Sequence, residues 1–186
     1  MSYYAIALFL HIVGALGLFA ALGLEWVSLL HLRRATTAEQ VRQWRRISNG
    51  SARLGMPSML LLLICGIYMM VTVWGAVAWI IVSLGGIVLM AIPALAVSGR
   101  RITVIGEVVA AEQGRISPAL QQLLHHPLLW IAIQTRVAIA LGIVFLMTVK
   151  PELSGSLLAI SLATVLGLAT ALPILARERV QQEPAI

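Results

Sequence analysis

Four ionisable side chains stand within or at the ends of long apolar runs: His11, Glu25, Arg136 and Lys150. An ionisable group is costly at membrane depth, so each is a candidate for function. At 1.5 Å of rise per residue, His11 lies about 10–12 Å below one surface. It shares a helix face with Gly14, Leu18, Ala21 and Glu25. An imidazole there can ligate haem or a metal, carry a proton, or hydrogen-bond a neighbouring helix. Glu25 closes the same run at its other end. Arg136 follows Gln134 and Thr135, roughly 12 Å in from the far side by the same rise. Facing lipid would be expensive for this arginine, so it is expected to turn into the bundle and to find Glu25. Such a pair could fix helix register or form part of a proton path with His11. Lys150 closes the run that holds Arg136, on nearly the same face, and Pro151 follows it.

The remaining candidates are weaker. His31, His125 and His126 fall at basic helix ends, where they could form a metal or haem site or simply be solvated. Their depth separates them from His11. Met69, Met70 and Met147 lie near the level of His11, and thioethers with an imidazole would suit copper(I). Cys65 is the single cysteine, which excludes a disulfide within the chain and a cysteine-type zinc site. No nucleotide-binding, phosphate-binding or hydrolase motif is present.

The elements that must position these groups follow from composition. Of 186 residues, 60% are hydrophobic and only 11% charged, against roughly 25% charged in soluble domains. Five apolar runs, about 3–24, 54–74, 77–97, 128–149 and 157–176, each approach the ~20 residues that cross a bilayer as a helix. Lipid cannot satisfy backbone polar groups, so the runs must be helical. The reading is all-α: one integral membrane domain over 1–186, a polytopic bundle of five transmembrane helices. The first run lacks a basic leader and is too long for a signal peptide, so it is expected to be retained.

The formal charge of +6 is placed for topology rather than for nucleic acid. Arginines crowd 33–53 and 98–127 and follow the fifth run, whereas the other side carries only Lys150. Positive-inside bias puts both basic loops and the C-terminus in the cytoplasm and the N-terminus outside. The arginines would touch anionic headgroups. Tyr3, Tyr4, Trp74 and Trp79 then fall at the outer interface, and Trp26 and Trp130 near the inner one, as amphipathic rings prefer.

Within the first basic loop, Thr36-x-x-Glu39 reads as a capping box and Asn49-Gly50 as a stop, which predicts a short helix lying on the membrane surface. In the second, Ser117-Pro118 opens a helix towards His126, and Pro127 breaks it before the fourth run. The outer turns, Gly75-Ala76 and about 150–156, are short enough to force antiparallel neighbours. Along the fifth run Gly155, Ala159, Ala163, Gly167 and Ala171 recur every fourth residue. Such a stripe lets helices approach closely, either within the chain or in a homo-oligomer or larger membrane complex.

The segments FLHIVGALGLF, RLGMPSMLLLLICGIYMM, VWGAVAWIIVSLG and RVAIALGIVFLMTVKP resemble a bacterial family of predicted integral membrane proteins of unknown function, over about the first 150 residues. More distantly they are similar to HemJ-type protoporphyrinogen oxidases and CopD-type copper membrane proteins. The resemblance implies a bacterial inner-membrane location. In HemJ-type proteins a first-span histidine and the lysine of a closing VKP motif are associated with haem, and these positions match His11 and Lys150. Arg136 resembles the arginine earlier in that helix. Here Arg136 is followed by Val137-Ala138-Ile139 rather than Asn-Glu-x-Pro, and the third run has neither lysine nor histidine. The expectation is therefore a haem- or redox-associated binding module in the outer half, with haem b held by His11 near Lys150. The alternative is an accessory subunit without chemistry. Whether the chain is an enzyme stays open.

Overall fold

A computed structural model describes residues 3–170. Helix α1 runs over Tyr3–Arg34 and α2 over Ala38–Met69, continued by a π-helical turn Met70–Trp74. Helix α3 spans Ala78–Pro93 and passes into a second π-helical stretch, Ala94–Gly99. Then come α4 (Arg100–Ala111), α5 (Pro118–His125), α6 (Pro127–Val149) and α7 (Leu153–Ala169). No strand occurs among the described residues. Four helical stretches, Tyr3–Arg34, Ala38–Trp74, Ala78–Ala111 and Pro118–Val149, are long and apolar enough to cross a membrane. Helix α7 is apolar but shorter over its described part, and Ala171 lies outside the described residues.

Helices α1 and α2 form a tight hairpin. Glycine makes the approach possible: a Cβ on Gly14 would meet the Leu62 nitrogen and the Ser58 carbonyl at 2.9 Å. Helices α3, α6 and α7 form the second layer. There a Cβ on Gly142 would lie 3.0 Å from that of Ala163, and one on Gly167 only 2.6 Å from Thr135 Cα. The small-residue stripe of α7 is thus covered by α6 of the same chain. The outward faces keep large apolar side chains such as Leu16, Ile64, Val88 and Leu158 at least 65% exposed, a surface suited to hydrocarbon rather than water.

The basic end is built like a soluble domain. Leu32, Ala38, Val41, Ile105, Val109, Leu120 and Leu124 are each at most 1% exposed. They join the ends of α1 and α2 to α4 and α5. Arginines tie this core by capping helix C-termini, whose last carbonyls lack partners within the helix. Arg42 donates to the carbonyls of Val109 (3.0 Å) and Glu112 (3.1 Å), and Arg33 to that of His125 (3.3 Å).

Two local readings need correction. The capping box is Thr37 with Gln40, not Thr36 with Glu39; Glu39 instead pairs with Arg42 at 3.1 Å. Nor does Asn49-Gly50 stop a helix, because α2 runs unbroken from Ala38 to Met69. There is no separate surface helix. The packing of Val41, Ser51 and Ser58 into the bundle outweighs a stop signal worth about 1 kcal/mol at glycine. The second loop matches its pattern: Ser117 caps α5 by accepting from the Leu120 N–H, with Pro118 at its start, and α6 begins at Pro127.

Candidate functional site

In the half of the bundle that holds the start of α1 and the α2–α3 turn, the α1–α2 hairpin and the α3–α6 layer diverge around a cavity of about 310 Å³. This lies at the lower end of the ~300–1,000 Å³ typical of small-molecule pockets. The walls are chiefly apolar, with Leu8 and Ile12 of α1, Leu63 and Ile67 of α2, and Ile80 and Leu84 of α3. His11 and Lys150, far apart in sequence, line the same cavity.

The close contact of the hairpin sets the state of His11. Its Nδ1 lies 2.9 Å from the Leu62 carbonyl oxygen. A carbonyl only accepts, so Nδ1 carries the hydrogen, and in the neutral imidazole Nε2 keeps its lone pair. The neighbouring position is a glycine, Gly66, and a Cβ there would press on the ring, 3.1 Å from the His11 Cε1. An imidazole held through Nδ1–H with a free Nε2 is the usual form of a histidine that ligates a metal.

Lys150 ends α6 in the left-handed conformation, at φ 53° and ψ 53°, costing roughly 1–2 kcal/mol for a residue with a side chain. This backbone places Nζ 4.0 Å from the ring centre of Trp74 and 5.8 Å from that of Trp79. The two indoles meet edge to face at 5.6 Å. Attraction of an ammonium to the ring faces holds the cation at the cavity mouth. Reading Trp74 and Trp79 only as interface anchors missed this box. The signal was the short turn at Gly75, whose φ of 70° brings the two rings back together.

Met69, Met70 and Met147 also line the cavity. Among the described residues no group of three or more His, Cys, Asp or Glu side chains could hold a metal ion. A metal at His11 would therefore be completed by thioether sulfur or by a macrocycle. The lining holds the kinds of group that haem b would use: an imidazole, thioethers, apolar walls and a cation for carboxylates.

The other candidates lie apart. Arg136 Nη1 donates to both carboxylate oxygens of Glu25, at 2.7 Å each, in the opposite half of the bundle. Nearby, Trp26 and Trp130 approach at 6.3 Å, giving α1 and α6 a second contact. His31 stacks on Trp44 at 3.8 Å, His125 bonds the Gln121 carbonyl, and His126 meets Arg101 at 3.2 Å. These three histidines converge on no common centre.

No protein-family model, curated protein or solved structure matches the chain.

Proposed function

We propose that this chain is a bacterial inner-membrane protein that binds an apolar, anionic cofactor, haem b, in the outer half of its bundle. The reading rests on one observation: His11, with a free Nε2, and the ammonium of Lys150 line one apolar cavity. His11 would hold the metal and Lys150 would face the carboxylates at the membrane surface. Leu62 would keep His11 in the ligating tautomer, and the apolar walls would exclude water. Haem b, when bound, supplies one-electron chemistry. The apolar run 157–176 makes a fifth crossing, and the arginine asymmetry puts the N-terminus outside and the C-terminus in the cytoplasm.

The absorption spectrum of protein purified in detergent after haem-replete expression tests the proposal. A Soret band is expected, and its absence would remove haem b from the reading. An accessory subunit docking through the α7 stripe is less well supported, because Gly155, Ala159, Ala163 and Gly167 face Pro151 or α6 of their own chain.

A further inference from the structure

The Glu25–Arg136 pair has an unusual geometry for a buried ion pair. A single nitrogen, Nη1, serves both oxygens, whereas a guanidinium usually engages a carboxylate through two. Among the described residues, Arg136 Nε and, one turn on from Glu25, the Ser28 hydroxyl are buried without a hydrogen-bond partner. Each such group costs about 1–3 kcal/mol unless something else satisfies it.

A small cavity of about 20 Å³ adjoins Glu25, on a side that neither Arg136 nor Ser28 lines. One water needs roughly 10–15 Å³ of such space and two to four polar partners. The lining supplies three: the Glu25 carboxylate, Ser48 of α2 and Ser98. Ser98 belongs to the π-helical stretch Ala94–Gly99 that follows Pro93, and π-helical turns gather at functional sites. Leu29 and Ile133 close the other walls. Both serines are only partly buried, so the cavity is not sealed on their side.

From these observations we infer that the pair is a hydrated site rather than a dry strut. One water molecule is held between the Glu25 carboxylate and the hydroxyls of Ser48 and Ser98. The inference stands apart from haem binding, since the site lies in the other half of the bundle.

Water-edited solid-state NMR on the full chain in lipid bilayers tests it. Polarisation from water protons is expected to reach Glu25 Cδ early, together with Ser48 and Ser98 Cβ. Ser98→Val fills the cavity and should remove most of the transfer to Glu25, while the Arg136 Nη–Glu25 Cδ contact persists as the control for folding. If that contact is lost, Ser48→Ala, which adds no bulk, takes its place and should weaken the transfer. A wild-type Glu25 that receives no early polarisation overturns the inference. So does transfer unchanged in whichever variant keeps the pair.

Discussion

Arg136 on α6 and Glu25 on α1 are joined at 2.7 Å across the junction of the two helical layers. The side chains are only 14% and 20% exposed, so neither charge is solvated as it would be on an open surface. Removing one partner strands the other. Arg136→Leu is expected to cost about 3–5 kcal/mol, read as a fall in the midpoint of reversible SDS unfolding. Glu25→Gln combined with Arg136→Leu should recover much of that loss. Additive losses in the double variant would mean that the two residues act separately.

Helix contacts predict a graded response to alanine. A Cβ at Gly14 or Gly167 meets backbone atoms at 2.9 Å or less, and backbone cannot step aside. Gly14→Ala and Gly167→Ala should each destabilise by about 1–3 kcal/mol. Gly85 meets nothing within 4 Å, so Gly85→Ala should be neutral or stabilise by up to about 1 kcal/mol. Equal losses at all three positions in the same assay would contradict this packing.

Haem retention divides by residue. His11→Ala should abolish the Soret band while the protein remains folded and inserted, because no other histidine reaches the cavity. Lys150→Ala should keep the band but lose haem faster on dilution. Gly66→Ala presses on the His11 ring and should shift the band or lower occupancy. A His11→Ala protein with full haem would place the ligand at the basic end instead.

Topology gives a plain test. A reporter fused after Ile186 should report the cytoplasm, and one inserted near Glu152 the outside, because the arginines lie on one side of the apolar runs. Reversal at both sites would invert the protein. Agreement at one site only would change the number of crossings.

Hydropathy was enough to read the four helices long and apolar enough to cross a membrane, because a lipid solvent leaves a long apolar run few alternatives. The Glu25–Arg136 partnership could also be read, since Glu25, at the inner end of the first apolar run, was the only acidic candidate at membrane depth. The course of α2 could not. Thr36/Glu39 and Thr37/Gln40 fit one capping pattern equally well, and Asn49-Gly50 signals a stop only while the helix stands alone. Once α2 lies along α1, that local preference is outweighed. The cavity was the least legible feature, because it is a gap between layers. Only the pairing of whole helices decides which side chains face it, and the common location of His11 and Lys150 was suggested by resemblance rather than by spacing.

The unbroken course of α1 and α2 also decides which arginines can feel a membrane. The apolar part of α1 ends near Leu24, but the helix continues to Arg34, a further ten residues or about 15 Å. The headgroup layer is only about 5–7 Å thick. With the helices near the membrane normal, Arg34 and Arg42 stand on a protruding dome, roughly a Debye length beyond the lipid charges at physiological salt. Arg53, Arg100 and Arg101 lie lower, where α2 leaves and α3 reaches the bilayer. Any attraction to anionic lipid would therefore fall on that lower ring, while the summit would keep its charge for the aqueous side.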